Sequence, residues 1–263
     1  MNNQPIGVFD SGIGGLTVLD KILEVLPNED YIYVADQGHC PYGTKKEEEI
    51  IECVLNVGKY LIAKNVKAIV IACNTASLFI KYLREITNIP VISVIDPTCM
   101  EALRVSKNKR IGVLATDTTI RKAKYQEMIN ANGGKAFGVA CQDFVTFVET
   151  KELDDPEGEK IAQRYLTQLL DKDVDTIIHG CTHFSLLEPQ MRKVLGNKNY
   201  VACGEPTAKL LKEILKEKDL LNTQKHDSYV KIFTTGSVEA AINNMKWFTK
   251  DHEDIKHIDL EER

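Results

Sequence analysis

The sequence predicts an α/β protein built as two pseudo-symmetric α/β domains with mainly parallel central sheets and a functional cleft between them. Three observations predict it. Short β-branched apolar runs alternate with amphipathic helical patterns along the chain. The runs are apolar throughout rather than alternating, which marks strands buried on both faces, as in parallel sheets covered by helices. Finally, a unit of strand, Cys, polar turn and helix occurs twice. It reads Ala68-Ile-Val-Ile-Ala-Cys73-Asn-Thr-Ala-Ser77 and Thr176-Ile-Ile-His-Gly-Cys181-Thr-His-Phe-Ser185, with the two cysteines 108 residues apart.

In chain order, Ile6 to Phe9 reads as a strand and Thr17 to Leu26 as an amphipathic helix. Tyr31 to Ala35 is a second strand, followed by a helix over about 46–64. The run Lys45-Lys-Glu-Glu-Glu49 is the solvated start of that helix. Val66 to Ala72 is a third strand, and a helix over 76–87 ends before Ile89-Pro90, since the residue before a proline is driven out of the helical region. Val91 to Ile95 is a fourth strand. The plan then repeats: strand Ile111 to Ala115, helix about 119–131, strand Phe137 to Cys141, helix about 157–171, strand Thr176 to His179 and helix about 186–195. Val230 to Thr234 is a last strand and Val238 to Phe248 a last helix.

With 263 residues, and about 150 per domain as a prior, the chain holds one large or two medium domains. Joins near Asp96-Pro97 and Gly204-Glu205-Pro206 give a first domain of 1–97 plus 207–263 and a second of 98–206. Hydrophobic residues at 43% and charged ones at 27% fit a globular chain with a sizeable core. A net charge of −5 without a dense basic tract argues against a nucleic-acid partner. The longest apolar run, the six residues from Ala68 to Cys73, is far too short to span a membrane. The N-terminus does not read as a signal peptide, so the expected compartment is the cytoplasm. There the seven cysteines, with no C-x-x-C pair among them, stay thiols, and zinc-ribbon and thioredoxin readings fail.

Most of these cysteines read as small buried hydrophobes. Cys73 and Cys181 are different because of their place. Ligands of open α/β sheets bind beyond the carboxyl ends of the strands, and a following helix N-terminus favours a thiolate there. Packing and function both remain open for each. Phe9-Asp10-Ser11-Gly12-Ile-Gly14-Gly15 is a Gly-rich turn after the first strand. It is neither the dinucleotide fingerprint nor a P-loop. It is either a tight turn or a ligand turn, in which Asp10 suits an ammonium group better than an anion. Cys40-Pro41-Tyr42-Gly43-Thr44 reads alone as a turn, Ala115-Thr116-Asp117-Thr118-Thr119 as an N-cap cluster, Glu149 as a surface residue and His183 as a core imidazole.

Together the motifs carry more than each does alone. Asp10-Ser-Gly-Ile-Gly-Gly-Leu-Thr17, Pro41-Tyr-Gly43, Ala72-Cys-Asn-Thr-Ala-Ser77 and Gly180-Cys-Thr-His183 stand in an order and spacing that resembles the glutamate racemases of the cofactor-independent Asp/Glu racemase superfamily. Ala115-Thr116, Thr119, the stretch from Phe144 to Glu149 and Thr235-Gly236 support the likeness, which spans essentially the whole chain. The resemblance implies interconversion of L- and D-glutamate in the cleft, supplying D-glutamate for peptidoglycan. It implies that Cys73 and Cys181 act as two bases on opposite faces of the substrate's Cα. Asp10 and Ser11 would meet the amino group. Asn74, Thr75, Thr116, Thr119 and Thr182 would serve the carboxylates, and Pro41, Tyr42 and Gly43 the site wall. His183 and Glu149 would assist Cys181. It implies no cofactor, no metal, and a homodimer.

The chain departs from the family's usual pattern at His179 (commonly Leu), at His39 (often Arg), at Asp117 and Thr118, and at Val201-Ala202-Cys203-Gly204-Glu205-Pro206. His179 is expected to act on the second Cys. The competing readings are a racemase for aspartate or another amino acid, and a non-catalytic relative that keeps the fold.

Overall fold

A computed structural model describes residues 3–222, 228–245 and 254–260. The chain runs β1 (Ile6–Asp10), α1 (Leu16–Val25), β2 (Tyr31–Ala35), α2 (Glu47–Ala63), β3 (Ala68–Ile71), α3 (Asn74–Ser77), α4 (Ile80–Glu85) and β4 (Val91–Ser93). It continues through α5 (Ile95–Val105), β5 (Arg110–Ala115), α6 (Asp117–Arg121), α7 (Lys124–Ala131), β6 (Lys135–Ala140), α8 (Gln142–Thr150), α9 (Glu157–Leu166), β7 (Thr176–Gly180), α10 (Glu188–Leu195) and β8 (Asn199–Val201). It closes with α11 (Gly204–Glu217), β9 (Val230–Thr234), α12 (Val238–Met245) and β10 (Ile255–His257). The end of the last predicted helix, 246–248, lies outside the described residues.

Two compact units result. One is Met1–Val94 with Gly204–Arg263, the other Ile95–Cys203. The first holds a sheet in the order β10-β9-β2-β1-β3-β4, the second a sheet in the order β6-β5-β7-β8, and every strand pair is parallel. β1, β2, β3 and β7 are buried at every position, which is why their sequences do not alternate. Within each sheet the order second–first–third–fourth recurs. The strand order reverses between β1 and β3 in one unit and between β5 and β7 in the other. Such reversal points leave a crevice at the strand ends, where α/β folds bind ligands.

Two predicted helices are broken. The segment 76–87 becomes α3 and α4, separated by Phe79 at φ −108°, ψ 14°. The segment 119–131 becomes α6 and α7, separated by Ala123 at φ 53°, a left-handed conformation that ends a helix. Five elements were not anticipated: α5, α8, β8, α11 and β10. The prolines at 97 and 206 read as breaks between domains, yet both lie in the first turn of a helix, α5 and α11. Proline loses nothing there, because the first-turn N–H groups have no helical partner. The unit boundaries accordingly fall three residues before the predicted ones, at the starts of these helices. β8 and β10 have three residues each, too few to show a period. Among the described residues no helix is long and apolar enough to cross a membrane.

Candidate active site

The first Cys turn is built by β1 and β3. These strands pair with Phe9 opposite Ile71, and Ala72 N–H donates to the Phe9 carbonyl at 2.8 Å. Asp10 and Cys73 therefore leave adjacent strand ends on either side of the reversal point. Asp10 is buried, and its Oδ2 accepts from Gly15 N–H at 2.8 Å. A Cβ on Gly15 would stand 2.6 Å from Asp10 Cβ and 2.7 Å from the Tyr33 hydroxyl oxygen, so only glycine lets the turn close over the carboxylate. The Tyr33 hydroxyl donates to the Gly12 carbonyl at 2.8 Å and pins the same turn.

Cys73 is 6% exposed. Its sulfur accepts from Ala76 N–H at 3.4 Å, and its S–H donates to Ser11 Oγ at 3.5 Å. Burial pushes this thiol far up, and the Asp10 charge pushes it further; the bonds to Ala76 and Ser11 work against both and lose. The expected lowering by a helix N-terminus is thus reversed at Cys73. α3 has only four residues, and its partial charge is small against lost hydration and a neighbouring carboxylate. Asn74 and Thr75 follow in α3, both buried. Tyr42 and Gly43 are buried in a 3-10 turn, while Pro41 before them is exposed. The Tyr42 hydroxyl donates to the Asp36 carboxylate, which also takes His39 Nδ1 at 2.8 Å and Thr235 Oγ1 at 2.7 Å. Burial, then the Asp36 charge, raises the Tyr42 phenol well above its usual range.

The second Cys turn is built by β5 and β7, paired with Ala115 opposite Gly180. Thr116 and Cys181 are the next residues on each strand. Thr116 Oγ1 lies 3.0 Å from Thr119 Oγ1, both buried at the start of α6. Cys181 is half-buried, and its sulfur lies 3.7 Å from His183 Nδ1. Thr182 Oγ1 lies 3.4 Å from the same nitrogen, and His183 Nε2 lies 2.6 Å from Glu149 Oε1 on α8. Burial alone would push the His183 imidazolium down. The Cys181 sulfur and the Glu149 carboxylate outweigh it and raise the pKa to about 10. The carboxylate that reads as a surface residue is therefore anchored on an imidazole beside a thiol.

The residues 6–208 match the family described as Asp/Glu/Hydantoin racemase. The glutamate racemase of Bacillus cereus is 34% identical over 267 aligned residues, 98% of each chain. The chain belongs to the Asp/Glu/Hydantoin racemase family. It is an enzyme of the racemase, or isomerase, class. Among solved members, glutamate racemase isoform RacE1 from Bacillus anthracis is similar at TM-score 0.94 and 34% identity over 99% of both chains. The glutamate racemase of Francisella tularensis in complex with D-glutamate is similar at TM-score 0.94 and 32% identity over the full length of both.

Reasoning from sequence missed Asp36, which is fully buried at the end of β2 and holds Tyr42. Its signal was available: a carboxylate directly after a fully apolar strand, as at Asp10. It also missed that Cys53 on α2 lies beside this carboxylate, where burial and Asp36 push its thiol up to about 11.

Proposed function

We propose that this racemase interconverts L- and D-glutamate without a cofactor, with Cys73 and Cys181 as the two bases on opposite faces of the substrate's Cα. The observation that carries the reading is the pair of strand-end cysteines, each at the reversal point of a sheet with the same strand order and each with its own polar partners. The D-glutamate bound by the relative from Francisella tularensis supports glutamate as the substrate.

The charges suggest how the cycle is set. Cys73, buried beside Asp10, starts as a thiol and so as the acid. The Cys181 sulfur meets the His183 ring at 3.7 Å, and we assign it the complementary role of base. In the L-to-D direction Cys181 takes the α-proton and Cys73 donates one to the opposite face. In the reverse direction the substrate ammonium pairs with Asp10 and offsets the charge that opposes a Cys73 thiolate. Ser11 joins Asp10 at the amino group. Asn74, Thr75, Thr116, Thr119 and Thr182 stabilise the carboxylates and the developing carbanion, and Tyr42 with Pro41 and Gly43 walls the site against water. The two units act as the two domains of one enzyme, a cytoplasmic homodimer whose D-glutamate serves peptidoglycan.

Incubation with each glutamate enantiomer in D₂O tests the reading, with aspartate as control. Loss of optical activity with deuterium at Cα is expected for both glutamates. No α-deuterium, or preference for aspartate, overturns it.

A further inference from the structure

A carboxylate, a thiol and an imidazole converge just past the carboxyl end of β2 in the first unit, at groups to which the racemase reading gives no proton to move. Asp36 follows β2 and is fully buried. His39 ends the short 3-10 turn Gln37–His39, with about 40% of its side chain exposed. Cys53 lies on the buried face of α2. One donor atom of each lies within 4.8 Å of the other two, and His39 Nδ1 already stands 2.8 Å from Asp36 Oδ1. We propose that Asp36, His39 and Cys53 form a binding site for a thiophilic divalent metal ion of the zinc class.

The donor set selects the metal. One sulfur, one imidazole nitrogen and one carboxylate oxygen suit zinc or cobalt, whereas magnesium and calcium demand oxygen alone. Zinc bonds of about 2.0–2.3 Å set tetrahedral donors roughly 3.5 Å apart. Asp36 Oδ1 and His39 Nδ1, hydrogen-bonded at 2.8 Å, part by a few tenths of an ångström to admit the ion, and the Cys53 side chain moves in to close the set. The proton balance is simple. Cys53 releases its thiol proton to solvent, and His39 moves its proton from Nδ1 to Nε2, the nitrogen that stays free of the metal. Asp36 Oδ1 exchanges hydrogen bonds for a metal bond. A divalent ion with one thiolate, one carboxylate and one neutral imidazole leaves the cluster uncharged, as a buried group should be. The exposed edge of His39 gives the ion a way in and leaves the fourth position to water.

Occupancy has a consequence for the neighbouring wall. The same carboxylate accepts the Tyr42 hydroxyl and the Thr235 hydroxyl. A cation on it weakens it as an acceptor and loosens Tyr42, so zinc inhibits. This second half rests on the racemase reading; the binding half does not.

The test titrates the chelator-treated full-length protein with Co²⁺ under anaerobic conditions. One equivalent should produce the intense near-ultraviolet absorption of a thiolate–cobalt bond, and Zn²⁺ should bleach it. Cys53→Ser should abolish the band, Cys73→Ser should keep it, and His39→Gln, a change at an exposed position, should weaken binding at least tenfold. Zinc should depress racemisation by the unmodified protein, with Cys53→Ser at least tenfold more tolerant and unchanged in basal activity. A band that survives Cys53→Ser, or that disappears only with Cys73 or Cys181, overturns the site. A Cys53-dependent band in a protein that racemises nothing keeps the site and overturns the racemase reading. Such a band with zinc-insensitive racemisation overturns the link to Tyr42.

Discussion

The two Cys turns occupy the same place in two sheets of the same strand order, yet their electrostatics are opposite. Cys73 is buried, bonded to Ser11 and Ala76, and faces a carboxylate that raises its thiol pKa. Cys181 is half-buried and faces an imidazole whose pKa is raised by the Cys181 sulfur itself and by Glu149. Each turn has one carboxylate, but Asp10 acts on its thiol directly and Glu149 acts through His183. The difference teaches that a duplicated scaffold does not need duplicated charges. On the proposed two-base reading, the unequal surroundings are what divides the acid and base roles between the two turns.

The strongest way to break the comparison is to remove each sulfur in turn. Cys73→Ala and Cys181→Ala should each lower racemisation by at least about a hundredfold to ten-thousandfold, the usual contribution of a positioned acid or base. Polarimetry with both enantiomers checks this, and full activity in either variant refutes the two-base assignment. A smaller effect separates the turns. Glu149→Gln removes the carboxylate that, after the Cys181 sulfur, raises the His183 imidazole, so its pKa should fall from about 10 towards its ordinary value. The L-to-D rate should fall, and its alkaline limb should move to lower pH, because the imidazole loses its charge earlier. Imidazole NMR titration reads the cause, and an unmoved resonance would show that the Glu149 contact does not matter.

Much of this pairing is legible in the sequence because its signals are local. Ala68 to Cys73 and Thr176 to Cys181 are short apolar runs that end in the same residue type. What stayed hidden depends on contacts distant along the chain. Asp10 beside Cys73 needs the β1–β3 pairing, and Glu149 beside His183 needs α8 to pack near the end of β7. Asp36 under Tyr42 is nearer in sequence, but its role emerges only when Thr235 arrives across a separation of 199 residues. The helices α5 and α11 stayed hidden for a local reason, since a proline signals both a break and a first helical turn.

Asp10 offers a third, smaller test. Asp10→Asn keeps the shape and removes the charge, so the Cys73 thiol pKa should fall although burial remains. In a Cys181→Ser background, alkylation of Cys73 at fixed pH should become several-fold faster. An unchanged rate would leave burial as the whole cause and would equalise the carboxylates of the two turns.

The finest contrast lies two residues before each sulfur. There the first turn has Ile71 and the second has His179, both buried. Neither ring nitrogen of His179 has a hydrogen-bond partner, and its closest carboxylate oxygen, on Glu188, is 4.0 Å away. Burial, then the charge of Arg192, lowers its pKa to about 4. The unfolded chain takes up that proton near ~6.5, so the unfolded state binds more protons between these values. Stability from the neutral ring is therefore complete above ~6.5 and is lost as pH falls towards about 4, by roughly 3 kcal/mol over the window. His179→Leu makes the second strand like the first. It should raise stability at neutral pH by about 1–3 kcal/mol, the cost of orphaned buried nitrogens, and should flatten the acid limb. Urea unfolding at pH 7.5 and pH 5, compared between the two proteins, separates the effects. An equal loss on acidification in both would place the acid sensitivity elsewhere and leave His179 as a packing residue, equivalent to Ile71 in all but composition.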